Sequence, residues 1–215
     1  MMNKDDNPKH NEVQKKNELE QREVTQVLDF LKRYGTLIGA GILAAAITVL
    51  ASKALASNKA AKIAEAEQML ITAQTPKQLE DVVNNYKSTP TAPAALLDLA
   101  KTLFNQGDVA QARTQYERFV DDYTNSDLLP MAVFGLAYCT EAEGNFDAAA
   151  NEFKDFLSDN PGHYLESAAI LALARCQEQA GRLDDARITL EDFLAENADS
   201  QWTGAAETSL QQLDQ

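Results

Sequence analysis

Three glycines, Gly107, Gly144 and Gly181, stand 37 residues apart, and the residues around them recur with the same step. The step carries Ala100 to Ala137 and Ala174, Ala112 to Ala149 and Ala186, and Phe119 to Phe156 and Phe193. It also carries Leu99 to Leu136 and Leu173, and Tyr116 to Phe153 and Leu190. A period between about 20 and 50 residues predicts a stacked array. Each unit is too small to bury its apolar face alone and must cover it with its neighbours.

Each unit carries two apolar stripes separated by its glycine. In the middle unit Val133, Leu136, Ala137 and Thr140 make the first stripe, and Phe146, Ala149, Phe153 and Phe156 the second. Steps of three and four place each set on one helix face. The glycine falls where a left-handed residue can end the first helix without a Cβ penalty. Asp108, Asp147 and the pair Asp184–Asp185 follow at the next helix start, where carboxylates favour the free N–H groups and the positive dipole end. The alanine pairs 100/112, 137/149 and 174/186 let the two helices approach closely. An antiparallel helical hairpin, repeated, is the expectation.

This succession resembles the tetratricopeptide repeat (TPR), which places an apolar residue, Leu, a small residue, an aromatic, Gly, an aromatic, Ala and an aromatic in order. The third unit reads Ile170, Leu173, Ala174, Gln177, Gly181, Leu183, Ala186 and Leu190, and the second is closer, with Phe146 and Phe153. The resemblance implies an all-α, TPR-like solenoid of three repeats over residues 94–203. A degenerate first hairpin over 57–93 keeps Leu79, Val82 and Tyr86 in register with Tyr116, Phe119 and Tyr123, but has Leu70 where Gly is expected. A Gln- and Glu-rich helix within 204–215, from about Gly204 to Leu213, is the expected polar cap. Leu96, Val133 and Ile170 replace the aromatic near the first helix's start. The step exceeds the usual ~34 residues, which implies lengthened helices or turns.

Residues 34–53 are the candidate anchor. Between Tyr34 and Ser52 there is no charge, and as a helix this run spans about 28 Å, close to a hydrocarbon thickness of about 30 Å. Lys32, Arg33 and Lys53 flank it, placed to snorkel. Seven Lys and Arg precede it, while Lys53, Lys59 and Lys62 follow, a bias that favours an inside N-terminus and a repeat domain on the far side. The competing reading is a signal peptide cleaved after Ala56, because Ala54-Leu55-Ala56 is an A-x-A site. Against it stand a long leading region carrying seven acids and an apolar run longer than about 15 residues. A buried core helix is disfavoured because nothing in the run alternates with polar positions. Gly35 and Gly39 form a G-x-x-x-G pair that either seats a partner helix or reflects the ordinary glycine content of membrane helices. Ahead of the anchor, within the expected cytosolic segment 1–33, residues 1–17 are polar and expected to be unstructured. Val24, Val27, Leu28 and Leu31 then mark an amphipathic lead-in over 19–31.

Charge and cysteine usage exclude several functions. Residues 57–215 carry 26 acids and 11 bases, a net of −15 out of −14 for the whole chain. Such a domain repels phosphate backbones and anionic lipid faces, so nucleic acid is disfavoured as a partner. The acid runs Asp121–Asp122, Asp184–Asp185 and Glu191–Asp192 belong on solvated helix faces. Cys139 and Cys176 lie one period apart, at the same place on adjacent first helices. Neighbouring helix axes lie about 8–10 Å apart, whereas a disulfide needs Cα atoms within about 7 Å. Two unpaired, buried thiols are therefore expected, with a disulfide the disfavoured alternative. The only histidines are His10, in the leading tail, and His163, after Pro161-Gly162. No C-x-x-C, H-E-x-x-H, phosphate loop or G-x-S-x-G occurs. Catalysis, a metal, a cofactor and a small-molecule substrate are not expected. Trp202 is read as a packing residue.

A hairpin stack offers a concave groove lined by the first helix of each unit. In the proteins this chain resembles, groove positions lie one residue past the aromatic slot and four and seven further on. Here these are Leu97, Lys101 and Phe104, then Phe134, Tyr138 and Glu141, then Leu171, Arg175 and Glu178. Each triplet shares one helix face, and Phe104, Phe134, Tyr138 and Leu171 make an apolar stripe edged by Lys101 and Arg175. Such a groove can take an extended or helical peptide on aromatic anchors. Equally, the helix over about Lys59 to Ala73 can fold back and fill it, or these residues can be core. Joint truncation of Phe134 and Tyr138 to Ala is expected to weaken partner capture while leaving the stack folded.

The order of parts, a charged tail, an amphipathic lead, one anchor and an acidic repeat domain, resembles the YfgM-type ancillary subunits of the bacterial Sec translocon. The residues carrying it are Glu23-Val24 through Phe30-Leu31-Lys32, Tyr34-Gly35 and Gly39 to Ile42, followed by the degenerate unit and the three hairpins. The resemblance implies a single-pass protein of the bacterial inner membrane, with a cytoplasmic N-terminus and a periplasmic C-terminal domain. It would bind the Sec translocon and a membrane-anchored periplasmic chaperone or prolyl isomerase, performing no chemistry itself. The runner-up is a periplasmic TPR scaffold for cell-envelope or outer-membrane assembly, released by a signal peptide; no lipobox cysteine is available, since the first cysteine is Cys139.

Overall fold

The structure, a computed structural model, describes residues 8–213, and these residues form nine helices and no strand. They are α1 (Pro8–Thr72), α2 (Pro76–Asn85), α3 (Thr91–Asn105), α4 (Val109–Asp122), α5 (Leu129–Ala142), α6 (Phe146–Asp159), α7 (Glu166–Gln179), α8 (Leu183–Glu196) and α9 (Thr203–Leu213). The chain divides into two units, residues 1–60 and 61–215.

The first unit is the leading part of α1. Of the tail expected to be unstructured, residues 1–7 lie outside the described residues, whereas the backbone from Pro8 onward, His10 included, is helical. The lead-in expected over 19–31 therefore starts earlier and runs unbroken into the apolar segment. Pro8 occupies the helix start, where its missing N–H costs nothing, and no proline follows until Pro76. This helix is long and apolar enough to cross a membrane, a test that a signal sequence near an N-terminus also passes. Leu37, Ile42, Leu43, Ile47 and Leu50 are all exposed. The hydroxyls of Thr48 and Ser52 donate to the carbonyls of Ala44 and Val49 on their own helix, at 2.9 Å each. That pairing removes the cost of carrying a hydroxyl into hydrocarbon.

The second unit is the hairpin ladder, and its turns show why the glycines recur. Gly107, Gly144 and Gly181 have φ of +82°, +80° and +77°, a region closed to most side-chain-bearing residues. In each turn the glycine N–H bonds the carbonyl three residues back, to Phe104, Glu141 and Glu178 at 2.9 Å. The following N–H reaches five back, to Leu103, Thr140 and Gln177, at 2.8–3.2 Å. This is the Schellman closure, which satisfies carbonyls that a helix end leaves unpaired. The degenerate unit lacks that glycine and turns differently. Thr75 caps α2 by accepting from Gln78 N–H, and the Gln78 side chain accepts from the Thr75 N–H, with Pro76 in the first helical turn.

Packing follows the sequence order. From α2 to α9 each helix lies against the next, and beyond these neighbours α3 touches α5 and α7 touches α9 only lightly. Phe119, Phe156 and Phe193 are 0–2 % exposed, and Ala112, Ala149 and Ala186, two turns earlier on the same helices, are fully buried. Burying each phenylalanine contributes roughly 2–3 kcal/mol, delivered at equal intervals along the stack. The core is accordingly three successive clusters rather than one. The end of α1 joins the first of them, with Met69 and Leu70 packed against it and Ala66 fully buried. Cys139 and Cys176 are free and fully buried.

One position breaks the regular packing. Gly135, in mid-helix α5, stands where the register has Asp98 and Ala172, and a methyl group there would lie within 2.8 Å of three ring carbons of Tyr116. The Tyr116 ring from α4 therefore lies directly on the α5 backbone. Gly135→Ala should lower unfolding free energy by about 1–3 kcal/mol through overpacking. Gly204→Ala, in the first turn of α9 with open space around it, should raise it by about 0.5 kcal/mol. Urea titration followed by far-ultraviolet circular dichroism reads both, and equal effects would contradict the packing described.

Candidate functional site

Three helices build an apolar cavity at the centre of the ladder. Phe104 and Lys101 come from α3, Tyr116 from α4, and Met131, Phe134, Gly135 and Tyr138 from α5. The turn before α7 adds Tyr164 and Leu165. The space measures about 400 Å³, within the range of small-ligand and side-chain pockets. Its aromatic wall is rigid. Tyr138 meets Phe134 edge-on at 4.8 Å between centroids and Phe153 at 5.2 Å, while Phe104 meets Tyr138 at 6.3 Å. No residue of α1 lines it among the described residues.

The nine sequence-predicted groove positions separate into four groups. Leu97 is core, not groove: it is 4 % exposed in the first cluster, against which Met69, Leu70 and Ala73 pack. The amphipathic end of α1 needs an apolar partner, and the cluster that holds Leu97 is that partner. Lys101, Phe104, Phe134 and Tyr138 come together at the cavity just described. Leu171, Arg175 and Glu178 line a second, more polar space of about 450 Å³, shared with Tyr138 and with Trp202, Ser209 and Leu213 around α9. Trp202 is 38 % exposed, more open than a packing residue.

Glu141, the remaining groove position, determines the chemistry of Arg175. Its carboxylate is mostly buried and receives two hydrogen bonds from the Arg175 guanidinium, the longer at 2.7 Å. The guanidinium also lies 5.8 Å from the Tyr138 ring. The Glu141 hydrogen bond, opposed by desolvation, holds the Arg175 charge above its ordinary range. Burial is the main reason the Tyr138 phenol is raised, with Arg175 pulling the other way. Arg175 is thus neutralised from within, and the groove holds no guanidinium ready for a partner's carboxylate. A second fork of this kind ties α4 to α5, where Arg113 donates to both Glu143 oxygens at 2.8 and 2.9 Å and to Thr140.

Phe134 is half core. It packs on Phe153 and Phe156 at 5.7 and 5.2 Å as well as on Tyr138. Joint truncation of Phe134 and Tyr138 would therefore open the second cluster, contrary to the expectation of an intact stack. Gly35 and Gly39 have nothing within 4 Å of a built Cβ, and both belong to the first unit.

Asn105, Tyr116, Met131, Gly135, Tyr164 and Leu165 are the cavity residues that sequence reasoning missed. A signal for Tyr116 and Gly135 was present: the slot that holds Phe153 and Leu190 in later units holds a tyrosine here, and a mid-helix glycine follows 19 residues on. Among the described residues no cluster of His, Cys, Asp or Glu is placed to hold a metal ion.

Comparison with known proteins identifies the architecture. A family model described as a tetratricopeptide repeat-like domain matches residues 29–159, and one described as a tetratricopeptide repeat matches 141–207. The first match begins ahead of the apolar helix segment and includes it. No curated protein matches the sequence significantly. Among solved structures, a Podosopora anserina protein with nearly identical TPR-like repeats shares 19 % identity over 73 % of this chain and 85 % of its own, with a TM-score of 0.55. A tetratricopeptide repeat protein from Parabacteroides merdae shares 17 % identity over 74 % of this chain and 60 % of its own, with a TM-score of 0.54. These likenesses establish the fold.

Burial, the largest cause, pushes the Cys139 thiol up to about 11 and the Cys176 thiol up to about 12. Both should alkylate at pH 8 at least ~100-fold more slowly in the native protein than in urea, because thiolate is the reactive form. Equal rates, read by intact mass against time, would contradict their burial.

Proposed function

Because the chain belongs to the tetratricopeptide repeat-like domain family, whose members serve as protein-interaction scaffolds, we propose that it is a non-catalytic receptor for protein segments, anchored in the bacterial inner membrane by α1. The observation that carries this reading is the open aromatic cavity between α3, α4 and α5, lined without a nucleophile, metal-ligand cluster or acid–base pair. In this proposal residues 34–53 span the membrane, residues 1–33 face the cytoplasm and the ladder faces the periplasm. The basic bias ahead of the span and the hydroxyls satisfied within α1 support that topology.

The partners proposed are the Sec translocon and a membrane-anchored periplasmic chaperone or prolyl isomerase, with handover of secreted proteins as the task. The support is the YfgM-type order of parts and a family match that runs from the apolar helix into the repeats. An anchored ladder raises the effective concentration of its groove over segments emerging at the same membrane, without needing tight binding. The Ala54-Leu55-Ala56 site favours one other reading, a released periplasmic scaffold for envelope assembly.

Photo-crosslinking in native membranes separates these readings. A benzophenone amino acid at exposed Lys101 or Tyr164 should give adducts with a Sec channel subunit or a periplasmic folding factor. The same probe at Glu191, exposed on α8, should not. Identical adducts from all three positions, or a mature N-terminus at Ser57, would overturn the anchored-receptor proposal.

A further inference from the structure

The central cavity contains a polar group whose hydrogen-bonding capacity the protein itself leaves unused. Tyr116 is 4 % exposed, and its hydroxyl bonds to no described residue. The Tyr123 hydroxyl is also unpaired but sealed off, whereas that of Tyr116 is not sealed. Since Tyr116 lines the cavity, the cavity is where its hydroxyl opens. The ring is held there by the missing side chain of Gly135. Desolvation makes an unpaired buried hydroxyl costly, and a ligand atom that pairs with it recovers that cost. Of the other two phenols in the lining, Tyr138 is already engaged by Arg175 and Tyr164 is 68 % exposed at the rim.

We infer that this cavity is a subsite for one bulky apolar side chain of an extended partner segment, whose backbone carbonyl accepts a hydrogen bond from the Tyr116 hydroxyl. The inference rests on the receptor reading above and supplies the chemistry of what is received. The apolar floor of Phe104, Phe134 and Tyr138 selects the side chain, and about 400 Å³ holds a Phe or Leu together with its backbone. A carbonyl is the partner because every residue of a peptide carries one and the phenol donates readily at neutral pH. Burial is the largest cause that raises this phenol, with the Asp98 carboxylate adding to it, and together they keep its proton in place.

Charge determines what surrounds the anchor residue. The ladder carries a net −15 over residues 57–215, and Arg175 is held by Glu141. Lys101 is the one cation in the cavity lining, but an acidic segment as a whole meets long-range repulsion from the ladder, so basic residues should flank the apolar side chain. The same charge disfavours a second copy of this chain as the occupant.

The test uses the full-length protein in phosphatidylcholine nanodiscs and fluorescein-labelled host peptides with Lys flanks and a central Phe, Leu, Ala or Glu. Fluorescence anisotropy should show the Phe and Leu hosts binding at least ~10-fold more tightly than the Ala and Glu hosts. Replacing the Lys flanks with Asp should weaken the Phe host several-fold further. Tyr116→Phe keeps the ring and should weaken the Phe host about 3–10-fold, while leaving the melting temperature unchanged or raised. A merely structural hydroxyl would not give that combination. A Phe host that binds wild type and Tyr116→Phe equally would overturn the subsite and leave the receptor proposal standing. Failure of every host to bind, with native crosslinks at Lys101 intact, would do the same. Loss of both would end both proposals. A concentration-dependent dimer that the Phe host displaces would put a second copy in the cavity and overturn the assignment.

Discussion

The repeated burial of one phenylalanine against a neighbour's small face holds this fold together. Phe119, Phe156 and Phe193 are all but fully buried, one in each successive cluster of a ladder whose helices pack in sequence order. Alanine at 112, 149 and 186 brings the two helices of a hairpin together, and the next hairpin closes the space above. No central core is available for the ladder to organise around, and the three clusters reflect that. Stability in such a chain approximates a sum of unit and interface terms. The ends therefore need special treatment. At one end the apolar face of α1's last turns covers the ladder, and at the other α9 covers it, burying Ala206.

Against that regular background the cavity arises from a local exchange of volume. In the first full unit the aromatic slot of the second helix is a tyrosine, and the facing helix gives up its side chain at Gly135 to admit it. The ring spans the backbone and carries a hydroxyl into the space between α3 and α5. Phe104 and Tyr138 close that space from two successive first helices. Next to it, the Glu141–Arg175 fork replaces what would be an open cationic edge with a neutral, rigid one. Within the cavity lining the remaining cation is Lys101.

The periodic part of this architecture was legible in the sequence because it obeys local rules. A glycine at a left-handed turn and apolar residues three and four apart require only one chain's own geometry. The site was legible in part. Phe104, Phe134, Tyr138 and Lys101 could be placed on one face by counting, but counting gave Leu97 the same standing. Only the packing of Met69 and Leu70 against its cluster assigns Leu97 to the core. Likewise the fork between Glu141 and Arg175 spans 34 residues, a relation between helices that no single-helix pattern encodes. The tail fared worse: a polar composition predicts lack of structure, yet residues 8–17 continue the helix, with no glycine or proline between Pro8 and Gly35 to stop it.

Excision of one period tests the ladder most directly. Removing Leu128 through Tyr164, with Ala172→Gly to keep the room that Tyr116 needs, joins Asp127 to Leu165 in register and deletes one complete hairpin, including Phe134, Gly135 and Tyr138. If each unit packs only on its neighbours, the shortened protein keeps a cooperative urea transition. Its helical signal per residue stays close to that of the full chain. A non-cooperative, largely unfolded product would show that the hairpins depend on a shared core, contradicting the account given for this fold.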